Sequence, residues 1–334
     1  MRINILAIES SCDETSASVI SDGVIMNNFI VTQEIHQKFG GVVPELASRA
    51  HQKHIIPVVD NALKESGIDK KEISAIAFTK GPGLLGSLLV GVSFAKGFAA
   101  GLNIPLIEVN HMQAHILAHF IEDPKPCFPF LCLTVSGGHT QIVKVDNYLE
   151  MTILGQTRDD AVGEAFDKAA KMLGLPYPGG HLIDQYAKDG DPERFHFPDT
   201  EMEGYDYSFS GIKTAILYFL RDEIKLDQEF IDKNRNDLCA SIQHKLVKML
   251  LRKLRRAARE TGIKEIAIAG GVSANTGLRE AVLEMGEREK WNIYIPRYEY
   301  CTDNAAMIAI AGYYKYMKGD FTDFTVTPDA RLTF

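Results

Sequence analysis

The sequence is short of what would staple or anchor a secreted or membrane protein. Its 334 residues hold five cysteines, Cys12, Cys127, Cys132, Cys239 and Cys301, scattered and without a C-x-x-C pair. Neither a disulfide framework nor a cysteine-rich zinc site is indicated, and the expected compartment is the reducing cytoplasm. Met1-Arg2-Ile3-Asn4 runs straight into a strand-like segment and meets Glu9, which leaves no room for the apolar core of a signal peptide. The longest apolar stretches are broken by glycine or charge short of a membrane span, so no membrane association is expected. Positive charge is also scarce. With 36 Lys and Arg against 44 Asp and Glu the formal net charge is −8, which argues against unaided binding of nucleic acid through a global positive field. One local patch stays open between Lys245 and Arg259, where Lys248, Arg252, Lys253, Arg255, Arg256 and Arg259 interleave with apolar residues. The plainer reading of that run is an amphipathic helix with a solvated basic face.

What is present is an ordinary globular composition, 46% hydrophobic and 24% charged, with length for two domains. Periodicity predicts strands at 3–9, 15–20 and 23–32, a helix over 44–66, strand 73–79, helix 86–101, strand 105–109 and a helix opening at His111. The same order recurs: strands 130–136, 140–146 and 150–155, a helix over 160–173, then, after an insertion, a helix over 236–261. Strand 265–269, helix 276–287, strand 292–295 and helix 303–318 complete it. The expectation is one α/β plan used twice: a first lobe of residues 1–118 plus about 304–334, and a second of 119–303 carrying the insertion 174–210. Doubly wound α/β layers bind ligands at the carboxyl ends of their strands, here in a cleft between lobes. The aromatic residues Phe195, Tyr205, Tyr207 and Phe209 suggest that the insertion packs rather than waves free.

Several motifs should converge there. In His111-Met112-Gln113-Ala114-His115 two imidazoles lie four apart on one helix face and can share a metal, but the general-base Glu of His-Glu-x-x-His is replaced by Met112. Asp303, at the start of the last helix, is either an N-cap or a third ligand. Two His and a carboxylate with open positions suit Fe(II) or Zn(II). The hairpin turn Glu9 to Ser16 clusters hydroxyls and carboxylates able to face phosphate, metal or water, or is merely polar. Val135-Ser136-Gly137-Gly138-His139-Thr140 is the matching turn of the second half, with glycines that let backbone amides approach a ligand. Strand 265–269 then leads into Gly270-Gly271-Val272-Ser273-Ala274-Asn275 and a helix, a nucleotide-type arrangement in which Asn275 either touches the ligand or caps the helix.

Together with Tyr207-Ser208-Phe209-Ser210-Gly211-Ile212-Lys213-Thr214 and Thr302-Asp303-Asn304-Ala305-Ala306, these motifs resemble the TsaD family over almost the whole chain. Its members are tRNA N6-adenosine threonylcarbamoyltransferases, once labelled O-sialoglycoprotein endopeptidases. The resemblance implies the actin, Hsp70 and sugar kinase (ASKHA, RNase H-like) fold. It implies transfer of a threonylcarbamoyl group from threonylcarbamoyl-AMP to N6 of adenosine 37 in tRNAs reading codons that begin with A. It further implies one divalent metal, Fe(2+) ahead of Zn(2+), on His111, His115 and Asp303. The adenylate would lie on Thr134, Val135, Ser136, Gly137 and Gly138 with Asp167, Gly180, Asp184 and Asn275. Partners would be a TsaB-like paralogue and a TsaE-like ATPase, with the adenylate supplied by a TsaC-type synthase. The amine needs a proton acceptor, for which Glu9, Asp13 and His139 are candidates, and Lys213 is a candidate for an anion. The rivals are an ATP-dependent kinase or ATPase of the same superfamily, a protease, and a non-catalytic scaffold paralogue. None of the three accounts for the histidine pair with its aspartate and without the glutamate.

Overall fold

The computed structural model describes residues 2–199 and 202–334, so residues 200 and 201 of the expected insertion lie outside the described residues. Two compact units emerge: residues 1–125, 147–151 and 296–334, and residues 126–146 and 152–295. Compared with the expected divisions at 118 and 303, residues 119–125, 147–151 and 296–303 cluster with the first unit, which therefore contains Asp303.

In the first unit, β1 (Asn4–Glu9) and β2 (Glu14–Ser21) form an antiparallel hairpin. The single strand expected over 23–32 is two short ones, β3 (Val24–Ile25) and β4 (Phe29–Thr32). Between them the side chain of Asn27 accepts from Val19 N–H and donates to Ala62 O, so a side chain competes with ladder pairing and interrupts the strand. Helix α1 (Pro44–Ser66), β5 (Ala75–Gly81), α2 (Leu85–Leu102), β6 (Leu106–Asn110) and α3 (His111–Leu117) follow. The sheet order is β3-β2-β1-β5-β6, with β4 also on β2 and β1, β5 and β6 parallel.

The second unit repeats it. β7 (Phe130–Val135), β8 (Thr140–Asn147), β9 (Glu150–Gln156), β10 (Glu265–Ala269) and β11 (Asn292–Tyr294) stack in the order β11-β10-β7-β8-β9. Each sheet therefore has a central strand with its hairpin partner on one side and two parallel strands on the other. Helices α4 (Val162–Met172), α5 (Gly180–Ala187), α6 (Ser210–Leu226), α7 (Phe230–Thr261) and α8 (Thr276–Glu289) belong to this unit. Helix α7 starts at Phe230, ahead of the expected 236, and bends at Asn234. The insertion does pack, since Tyr207 and Phe209 are buried and Phe195 lies against Phe219 and Phe230.

The last helix, α9 (Ala305–Lys318), returns to the first unit and covers β1 and β2. Alternation along β1 and β5 explains how. Leu6, Ile8, Ile76 and Phe78 pack with Ile55, Val58, Val92 and Ala95 of α1 and α2, while the small Ala77 meets Gly312 of α9. The odd-numbered positions thus face α9, and Glu9 and Thr79 fall on that same face. Leu85–Leu102 is long and apolar enough to cross a membrane by length and composition, which corrects the expectation of no such stretch; its Leu88, Val92, Ala95 and Ala99 are buried in the unit's core.

A Cβ on Gly312 would stand 2.6 Å from Ala77 Cβ, with rigid backbone on both sides. Gly312→Val gains about 0.4 kcal/mol of helix propensity, but overpacking typically costs about 1–3 kcal/mol. The variant should therefore be destabilised, read as a lower midpoint in urea or thermal unfolding; an unchanged midpoint would contradict this packing.

Candidate functional site

The first motif to be placed is the histidine pair. Asn110 ends β6 and caps α3, its Oδ1 accepting from Met112 N–H (2.9 Å) and Gln113 N–H (3.2 Å). That cap fixes His111 as the first helical residue and sets His115 one turn on. The two rings meet edge to face, centroids 4.7 Å apart, and both are buried. His111 Nε2 and His115 Nε2 lie 3.3 and 3.2 Å from the same atom, Asp303 Oδ1. Asp303 is not the cap of α9, as one reading had it: Asn304 does that work, accepting from Met307 N–H at 3.0 Å, and Ala305 N–H is taken by Ser16 Oγ. The aspartate is thereby free for the histidines. The three donor atoms lie within 4.8 Å of one another and form the one such His/Cys/Asp/Glu group found among the described residues.

Burial and charge pull these groups in opposite directions. Burial alone would lower His111, but Asp303 and Glu9 outweigh it and hold its pKa well above the usual imidazole value. His115 is lowered by burial, with the charge of His111 adding to it. Burial would raise Asp303, yet both histidines hold it far below the carboxylate range. Glu14, one of the carboxylates of the β1–β2 turn, is pushed up to about 9 by burial and by Asp303 and Asp13. The chemistry of the set fits a divalent ion: two imidazoles and one carboxylate, with no second positive side chain in the group.

The turn between β1 and β2 does not offer its hydroxyls outward. Ser10 donates to Ser87 O, Thr15 to His51 Nδ1, and Ser16 serves α9; His51, completely buried, holds Cys12 O at 2.9 Å. The phosphate reading of this turn is replaced by a structural one, a packed floor beside the histidines. Glu9 is fully buried, and of the candidate proton acceptors only Asp13 and His139 are partly exposed.

In the second unit, Ser136 N–H donates to His139 O and His139 N–H to Ser136 Oγ, closing the tight turn from β7 to β8. Gly137 and Gly138 are exposed at its tip, and a Cβ on either would meet nothing within 4 Å. Below them the packing is close. A Cβ on Gly163 would stand 2.6 Å from Ser136 O, and one on Gly270, at φ 87°, 2.5 Å from Val135 O. Thr134 is buried in β7. The remaining sequence candidates form a relay of caps. Asp167 accepts from Gly179 and Gly180 N–H at the start of α5; Asp184 of α5 accepts from Thr276 N–H and Oγ1–H; Asn275 accepts from Leu278 N–H and donates to Gln243 Oε1 at 2.6 Å. The first amides of α8 are thus already bonded, so the open backbone lies at the β7–β8 tip rather than at that helix end. Gly163 and Gln243 escaped the sequence reading because neither sits in a turn motif.

Much of the basic run is paired with acidic side chains or buried rather than presented as a solvated face. Lys245 pairs with Asp199 at 2.5 Å, Arg259 with Glu289 at 3.0 Å, Arg256 with Glu260 at 2.7 Å, and Lys253 is buried on backbone carbonyls. Lys213 faces Asp160 at 3.4 Å, beside Lys168.

His111 lies between the carboxylates of Glu9 and Asp303, which favour its protonated form, so an ion competes with a proton for this ring. Its raised pKa stabilises the metal-free fold fully below the unfolded value and loses that contribution as pH rises through the folded one; the lowered Asp303 contributes above its unfolded value and fails as pH falls. Divalent metal affinity should therefore rise with pH, with about one proton released per ion near neutrality. Calorimetry in buffers of different ionisation enthalpy reads this directly; no proton release would contradict the charge state.

Comparison with known proteins follows this geometry. A family model described as TsaD, tRNA N6-adenosine threonylcarbamoyltransferase, matches residues 23–310. The tRNA N6-adenosine threonylcarbamoyltransferase of Cytophaga hutchinsonii is 63% identical over 332 residues, 99% of this chain and 97% of the relative; that of Christiangramia forsetii is 61% identical, over 100% and 99%. Among solved structures, the ROK hexokinase of Thermus thermophilus superposes with a TM-score of 0.51 at 14% identity, over 95% of this chain and 100% of that one, a likeness of fold that fits the actin and sugar kinase plan. With the model match spanning most of its length and its relatives matching end to end, the chain belongs to the TsaD family of tRNA N6-adenosine threonylcarbamoyltransferases.

Proposed function

We propose that this chain moves the threonylcarbamoyl group of threonylcarbamoyl-AMP to N6 of adenosine 37 in tRNAs reading codons that begin with A, in the cytoplasm. One observation carries the reading: two buried imidazole nitrogens converge on one oxygen of Asp303, whose capping duty Asn304 has taken over. His111, His115 and Asp303 would hold a divalent ion, Fe(2+) ahead of Zn(2+). Such an ion supplies Lewis acidity toward a carbonyl or phosphate oxygen.

The second unit supplies the adenylate cradle. Backbone groups of Ser136, Gly137 and Gly138 meet the ligand, Thr134 and Val135 hold that turn from β7, and Asp167, Gly180, Asp184 and Asn275 keep the surrounding helix starts in place. An adenylate is already activated, so positioning it is most of the work and no covalent nucleophile is needed. Asp13 and His139, both partly exposed, are favoured as proton acceptors for the amine over the fully buried Glu9. The net charge of −8 and the internal pairing of the α7 basic run support a requirement for partners, a TsaB-like paralogue and a TsaE-like ATPase, to complete the tRNA surface.

The test is a transfer assay with chain, partners, threonylcarbamoyl-AMP and unmodified tRNA, reading the modified nucleoside by mass spectrometry. His111→Ala and Asp303→Ala should each lower the rate by at least about 100-fold while circular dichroism is unchanged. Full activity with normal metal content in both would remove the metal assignment. Gly137→Val should leave the unfolding midpoint in place, since its Cβ enters open space, and weaken AMP binding by about 10- to 100-fold, the loss of one hydrogen bond to a charged group. Unchanged AMP affinity would count against this turn as the cradle.

A further inference from the structure

Glu9 is the last residue of β1 and has no solvent exposure. Register places Ile8 beside Phe78, so Glu9 lies next to Thr79 of β5, on the face that carries α3 and the start of α9. Three groups meet its two oxygens. Ser11 N–H donates to Oε1 at 2.5 Å, Thr79 Oγ1–H donates to Oε2, and His111 Nδ1 lies 3.2 Å from Oε2. A buried carboxylate held by three neighbours is a fixed acceptor, not a mobile base.

We propose that Glu9 is a positioning residue for the metal centre, holding the proton of His111 on Nδ1 so that Nε2 keeps its lone pair for the ion. This rests on the metal reading given above. An ionised carboxylate can only accept, so Nδ1 facing Glu9 carries hydrogen; the proton an incoming ion displaces is then the one on Nε2, the nitrogen aimed toward Asp303, whose electron pair becomes available to the ion. Ser11 agrees with the same arrangement. Its hydroxyl donates to Asp303 Oδ2 at 3.5 Å, which leaves its oxygen as an acceptor 3.3 Å from His111 Nδ1. Thr79 is part of the device: its hydroxyl has Glu9 as acceptor and it is buried.

A glutamine at position 9 has the same shape and the wrong hydrogen bonding. Its one oxygen cannot serve both Ser11 N–H and the Thr79 and His111 pair. With the amide NH2 toward His111, Nδ1 must become the acceptor, which moves the ring proton to Nε2 and blocks the ligand position.

The experiment uses the full chain and Co(2+) as probe, following visible d–d absorption during titration. Wild type should bind one ion, and Glu9→Gln should bind about 10- to 100-fold more weakly with an altered spectrum and unchanged circular dichroism. Wild type that binds no ion overturns the metal reading and this inference with it. Wild type that binds while Glu9→Gln binds equally, with the same spectrum, overturns the role of Glu9 alone. Should the variant not fold, 15N-histidine NMR of the Zn(2+)-loaded wild type decides: His111 with hydrogen on Nδ1 supports the assignment, and hydrogen on Nε2 overturns it.

Discussion

Asp303 Oδ1, shared by two buried imidazoles, is the point on which the first unit is organised. Removing a carboxylate and two histidines from water is costly, and it is tolerated only where charges are paired and the remaining polar atoms are satisfied. Nearly every local feature around the triad serves that condition. Glu9 and Ser11 answer the far side of His111, Asn110 fixes the helix that carries both rings, and Asn304 relieves the aspartate of capping. One atom, His115 Nδ1, stays buried without a partner. The same closeness explains why the two histidines shift in opposite directions, His111 upward beside two carboxylates and His115 downward through burial and the charge of His111.

The scaffold beneath is a consequence of period-two alternation. Large side chains of β1 and β5 fill the space toward α1 and α2, and small ones admit α9 at close range on the other face. Since Glu9 and Thr79 continue the second set, the strand ends deliver polar groups under α3 and the start of α9. Packing and chemistry are thus written along the same strands, with one residue step separating core from site.

The second unit uses the repeated plan differently. Its counterpart turn keeps two glycines exposed where the first unit's turn is packed with hydroxyls. Asp167, Asp184 and Asn275 look like ligand residues in a sequence because they are polar and sit near glycine turns. Their side chains are spent on helix starts, and what they position is backbone. The fold was used twice, with a packed histidine and aspartate floor in one copy and an open amide turn in the other.

Much of this was legible in the sequence. Strand and helix positions follow from hydrophobic period, and the duplicated order of elements follows from those positions, because burial of one face imposes 2.0 or 3.6 residue repeats on the chain itself. The i, i+4 spacing of His111 and His115 likewise states that both rings share a helix face. Other facts depend on segments distant in sequence and were decided by tertiary structure. The Asn27 side chain broke the strand expected at 23–32, Asn304 and not Asp303 capped α9, and acidic residues paired with Lys245, Arg256 and Arg259 of the α7 basic run. Glu9 reads equally well as a base or as a buried acceptor until Thr79 and His111, 70 and 102 residues away, are seen to close over it. A sequence records which groups can donate, accept or carry charge; only the fold determines which of them has already found its partner.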